Sequence, residues 1–96
     1  MYIGVLQFSM AIPHAESLKD KRRVVRGLKD RLRRQFNVSI AEIDDLDTWS
    51  IATLGLVMAG SDVGYINGAL DKIVDELEVW RDATLEDHQI EIVAPS

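Results

Sequence analysis

An α+β domain, with two helices covering one face of a four-stranded antiparallel sheet, is predicted by three observations on this chain of 96 residues. Four stretches carry strand-like character, most of them alternating inner and outer residues. Two others repeat apolar residues at helical spacing, and together they follow the order βαββαβ. Right-handed crossovers bring that order to the ferredoxin-like arrangement, in which both helices share one side of the sheet and the other side stays open. The whole chain, residues 1–96, is expected to form this single domain, because its length supports one small core and no second one.

The first strand is predicted from Tyr2 to Ile12. Tyr2, Leu6, Phe8, Met10 and Ile12 fall on one face, and Ile3, Val5, Gln7, Ser9 and Ala11 on the other. Pro13 ends it. Ser17, with Asp20 three positions later, approximates a capping box and starts a helix running to Asn37. Leu18, Val25, Leu28, Leu32 and Phe36 form its buried stripe. Residues Val38 to Asp44 and Trp49 to Ala59 read as a hairpin joined by the polar turn Asp44, Asp45, Leu46 and Asp47. Ser61 or Asp62 caps a second helix from Val63 to Trp80, with Ile66, Leu70, Ile73 and Leu77 inside and Asp71, Asp75 and Glu78 outside. Residues Arg81 to His88 show no period and are expected to be loop, followed by a short last strand from Gln89 to Val93. On the open sheet face this places Ile3, Val5, Gln7 and Ser9 beside Ile51, Thr53 and Val57. A face with so many β-branched residues is expected to be partly covered by a partner, for which a homodimer is one candidate.

Charge is distributed unevenly. The stretch Ser17 to Asn37 holds nine of the eleven basic residues and only two acids, a formal +7 in a chain whose net charge is −5. With 47% hydrophobic and 28% charged residues the chain is ordinary for a soluble domain. The absence of cysteine excludes a disulfide framework and a thiol nucleophile, and fits a reducing compartment. Because the apolar run of the first strand is broken by Gln7 and Ser9, neither a signal peptide nor a membrane span is read, and a cytoplasmic location is expected.

The stretch from Ser17 to Arg22, then Phe36-Asn37-Val38-Ser39 followed by Ala41-Glu42 and Asp44, and Trp49 ahead of the third strand resemble the small bacterial proteins grouped as DUF503, also called YlxP-like. The likeness extends over essentially the whole chain. It implies a ferredoxin-like fold, a cytoplasmic bacterial protein and no established activity. Genes of that family commonly lie beside those of a translation initiation factor and a ribosome-binding factor, so the resemblance also suggests a link to translation or ribosome assembly.

The basic helix is the main candidate for function. Lys19, Arg22, Arg23, Arg26, Lys29, Arg33 and Arg34 are the candidate RNA- or phosphate-binding residues, since guanidinium forks suit phosphate oxygens. Arg22, Arg26, Lys29 and Arg33 follow one another at i+4, i+3 and i+4, where like charges cost about 0.2–0.5 kcal/mol a pair. Two readings remain open: a stripe for structured RNA or the ribosome, or a surface neutralised internally by the acidic second helix. Lys21 falls among Val25, Leu28 and Leu32, and is expected to snorkel out of the first turn, with a salt bridge to Glu42 or another strand carboxylate as the alternative.

No catalytic, cofactor or metal constellation is recognised. His14 and His88 lie in predicted loops without further ligands at suitable spacing. Counting a calcium loop from Asp45 puts Leu56 where the bidentate glutamate is required. Gly60-Ser61-Asp62-Val63-Gly64 lacks the lysine of a phosphate loop and is read as helix capping. An acylphosphatase needs an arginine after the first strand, where this chain has Pro13-His14-Ala15-Glu16. Base stacking on the open face would need aromatic residues at positions taken by Ile3, Val5, Gln7 and Thr53. Trp49 and Trp80 are read as core or core-edge residues. The chain is therefore read as a binding protein rather than an enzyme, either an RNA or ribosome accessory protein or an interaction module that docks or oligomerises through its open sheet face.

Overall fold

The computed structural model describes residues 1–95. Its elements are β1 (Tyr2–Ala11), α1 (Leu18–Gln35), β2 (Ser39–Asp44), β3 (Ile51–Gly60), α2 (Val63–Glu78) and β4 (Thr84–Val93). The strands form one antiparallel sheet in the order β2-β3-β1-β4. This is the ferredoxin-like α+β fold, with α1 and α2 on one face.

The alternation of β1 decides the layering. Leu6, Phe8, Met10 and Ile12 are buried beneath the helices together with Ala52, Leu54, Leu56 and Met58 of β3. Onto this floor α1 sets Val25, Leu28 and Leu32, and α2 sets Ile66, Ala69, Leu70, Ile73, Val74 and Leu77. β1 and β3 pair over their full length, from Tyr2 with Gly60 to Ala11 with Ile51. Gly4 is what lets α2 sit close at one end of the sheet, because a Cβ there would collide with Ile66 Cγ2.

The helix starts follow their caps. Ser17 Oγ accepts from Asp20 N at 3.1 Å, while the Asp20 carboxylate accepts from Glu16 N at 3.0 Å, one residue upstream of where a full capping box would place it. Asp62 caps α2 through Tyr65 N at 2.9 Å. α1 ends at Gln35, with Phe36 turned to extended backbone, and α2 ends at Glu78, two residues short of Trp80.

Three expectations are corrected. The last strand starts at Thr84, so most of the stretch read as loop, including His88, is strand. A bulge explains the lost period: Met10 pairs with Leu85 and Ser9 with Asp87, leaving Glu86 as the extra residue. The inward positions therefore change phase, from Leu85 on one side of the bulge to Ile90 and Ile92 on the other. The second correction concerns Trp49, which is 49% exposed in the loop before β3 and belongs to neither core nor strand. Trp80 is at the core edge, half-buried.

The third correction is Lys21. Its side chain does not snorkel to solvent and is 1% exposed. Its Nζ meets Glu42 Oε2 at 2.7 Å and donates to the carbonyl oxygens of Asp45 and Thr48, the latter at 2.7 Å. Two of the three ammonium donors are thereby bonded to carbonyl oxygen. Glu42 Oε2 has no aligned hydrogen bond among the described residues, so the contact is one of charge. The Asp45–Ser50 loop folds over the first turns of α1 and closes the exit a lysine would use. Asp45, at φ 56°, makes the bend, and its carboxylate accepts from Thr53 Oγ1 at 2.7 Å.

Candidate nucleic-acid interface

At about 100° per residue, α1 arranges its charges in arcs around Lys21. Lys29, Arg22, Arg33, Arg26 and Lys19 follow one another from about 80° to about 160°, and Arg23 and Arg34 lie just past the crest on the other side. The first arc overlooks the free edge of β2, because Arg33 Nη2 donates to the Ile40 carbonyl at 3.0 Å. The opposite flank faces α2, where Arg31 lies 3.9 Å from Glu76 Oε1 and stacks over Trp80 at 4.8 Å from the ring centroid. The seven candidate residues thus divide, with five on the β2 flank and Arg23 and Arg34 on the far side of the crest.

Ion pairing separates the candidates further. Arg33 is 3.8 Å from Asp30, both side chains being about half exposed, and its other nitrogen holds the β2 edge. Among the described residues Lys19, Arg22, Arg23, Arg26, Lys29 and Arg34 make no ion pair. Among the described residues the acidic helix forms an ion pair with the basic one only between Glu76 and Arg31, and Asp71, Asp75 and Glu78 are exposed without ion partners. Four cations on one flank, Lys19, Arg22, Arg26 and Lys29, are consequently uncommitted. Lys19, Arg22 and Arg26 are exposed, and Lys29 is half-buried.

The sequence reading did not foresee the tie from Arg33 to β2 or the stacking of Arg31 on Trp80. A signal did exist for the Lys21 pair. Glu42 shares its inward strand parity with the buried Ile40, and Lys21 lies on the inward arc of the helix, so the two charges had to face one another.

The other candidates are placed as follows. His14 lines an open depression of about 380 Å³ with Ala15, Asp20, Arg23 and Asp82. His88 pairs with Phe8 in β4 and is exposed. Among the described residues no three His, Asp or Glu side chains are grouped to hold a metal, and no helix is long and apolar enough to cross a membrane. On the open face Ile3, Val5 and Ile51 are half-buried, while Val57, Ile43 and Val93 are 42%, 48% and 37% exposed. The strands of this face present no aromatic residue.

Comparison with known proteins agrees with this architecture. The designed protein Foldit4 superposes with a TM-score of 0.55, each chain covered in full, at 10% identity, a likeness of fold alone. The uncharacterized protein YlxP of Bacillus subtilis (strain 168) is 39% identical over 59 residues, 62% of this chain and 64% of the relative, so the match spans less than two thirds of that protein. The family model described as "Protein of unknown function (DUF503)" matches residues 3–90, and the chain belongs to that family.

Proposed function

We propose that this protein binds structured RNA, as an accessory factor of translation or ribosome assembly, through the β2 flank of α1. The observation that carries the reading is the set of four uncommitted cations, Lys19, Arg22, Arg26 and Lys29, along one flank of a rigid helix. Their like-charge spacing costs about 0.2–0.5 kcal/mol for each neighbouring pair, and within α1 only Asp30, four positions after Arg26, offsets part of it. With Arg33 the row runs fourteen steps along the helix, from Lys19 to Arg33, about 21 Å of axis at 1.5 Å per residue. That length suits a succession of backbone phosphates. The acidic remainder of the chain confines attraction for polyanions to this flank.

The test is the salt dependence of binding to ribosomal RNA or ribosomal subunits. Four phosphate contacts give a log–log slope of about −3, at roughly −0.7 to −0.9 each. Arg22→Glu with Arg26→Glu should weaken binding and flatten the slope by about half, with melting temperature nearly unchanged. Absence of salt-sensitive binding, together with clear destabilisation of that variant, would remove RNA as the partner.

A further inference from the structure

We propose that the open sheet face is the seat of a two-fold homodimer whose axis runs parallel to the strands, so that β3 stacks on the β1 of a second copy and β2 on its β4. The inference rests on the side of the molecule opposite the RNA reading and shares with it only Arg33, at the β2 edge.

Composition argues for burial of this face. Its apolar patch joins Ile3, Val5 and Val57 towards one end of the sheet to Ile43, which lies over Gly55, where a Cβ would come within 3.3 Å of the isoleucine, while Ile51 stands apart at the other end opposite Ala11. A shallow depression of about 270 Å³ opens there, lined by Val5, Gln7, Ser39, Ala41, Ile43 and Val57 among others. Its polar rim is β4, with Asp87, Gln89 and Glu91. An apolar patch with a polar margin is the anatomy of a protein interface. The size fits as well. Three strands of ten residues and one of six give a flat footprint of roughly 600 Å² at about 4.8 Å between strands and 3.4 Å per residue. The accessible surface of a corrugated face exceeds its footprint, and a stable interface buries about 800 Å² on each partner.

Charge selects a second copy and the axis. The pairing register aligns Ser39, Val57, Val5 and Glu91 in one row across the sheet, and Asp44, Thr53, Ser9 and Asp87 in another. A two-fold axis perpendicular to the strands would lay β4 on β4 and set Glu91 against Asp87. An axis parallel to the strands brings Glu91 of the second copy over Ser39, next to Ile40, whose carbonyl holds the Arg33 guanidinium. The two symmetric Glu91–Arg33 meetings are attractive. Asp87 of the second copy then comes over Asp44, a like-charged meeting that the symmetry also repeats.

The test is sedimentation equilibrium of the full chain across a concentration series. The wild type should dimerise, and Val57→Lys, a change at an exposed site that leaves the core intact, should be monomeric while keeping its far-UV spectrum and melting transition. Glu91→Lys and Arg33→Glu should each weaken the dimer about tenfold, the effect being doubled by symmetry, and together restore it. Asp87→Asn should tighten it severalfold. A wild type that stays monomeric to about 1 mM, with Kd values in the range of specific dimers left behind, overturns the proposal. A dimer unaffected by Val57→Lys overturns the face, and one lost with Val57→Lys but indifferent to Glu91, Arg33 and Asp87 overturns the axis.

Discussion

Lys21 and Arg22 are neighbours in α1 and differ in almost everything electrostatic. The ammonium of Lys21 is enclosed by Glu42 and by the carbonyls of Asp45 and Thr48. The guanidinium of Arg22, about 100° further round the helix, is exposed and has no ion partner among the described residues. A buried cation persists only with a full set of partners, because desolvation otherwise favours its neutral form or the unfolded chain. An exposed cation keeps its water and needs none. The lesson is that one basic helix holds two classes of cation: Lys21 locks the β2–β3 loop to α1, and Arg22 with its neighbours on that flank stands in solvent without an ion partner among the described residues.

The most disruptive way to test the contrast is Lys21→Met. Removing one partner leaves the Glu42 carboxylate and two loop carbonyls facing an apolar group, and a loss of about 3 kcal/mol is expected in urea unfolding. Adding Glu42→Leu should recover a large part of it, since replacing both members of a buried pair is far milder than breaking it. Next in size, Arg31→Ala should cost roughly 0.5–1 kcal/mol, the sum of a long surface pair and the stacking on Trp80. Arg26→Glu should go the other way. It exchanges repulsions with Arg22, Arg23 and Lys29 for attractions and gives up one favourable spacing to Asp30, so a gain of about 0.5 kcal/mol is expected by the same measurement. At the small end, Asp75→Lys should leave stability within about 0.5 kcal/mol, as is usual for surface sites without partners. A marked loss there would mean that α2 neutralises α1 in solution, and the two classes of cation would no longer be distinct.

Much of the fold could be read along the chain because its signals are local. The strand period of β1, the helical stripe of Val25, Leu28 and Leu32, and the caps at Ser17 and Asp62 each depend on residues a few positions apart. β4 was harder to read. As an edge strand it buries only one side, and the bulge at Glu86 splits its few inward residues into two phases, so no single period spans it. Trp49 was misplaced for a related reason. A large aromatic next to a β-like run carries no mark of whether the strand begins before or after it, and here hydrogen bonding of Ile12 N to Ser50 O at 2.8 Å holds the loop just beyond it.

The candidate site divides along the same line. Sequence alone determined that α1 is basic, which cations share a flank, and that Lys21 starts from the apolar arc, out of which it is expected to snorkel, because helical geometry converts spacing directly into angle. Which of those cations are free was decided only by tertiary structure. Arg33 is spent on the β2 edge, Arg31 on Glu76 and Trp80, and Lys21 on a loop 24 to 27 residues away in sequence. Charge pairing depends on distances of a few ångströms between elements remote in the chain, and those distances exist only once the sheet has brought the elements together.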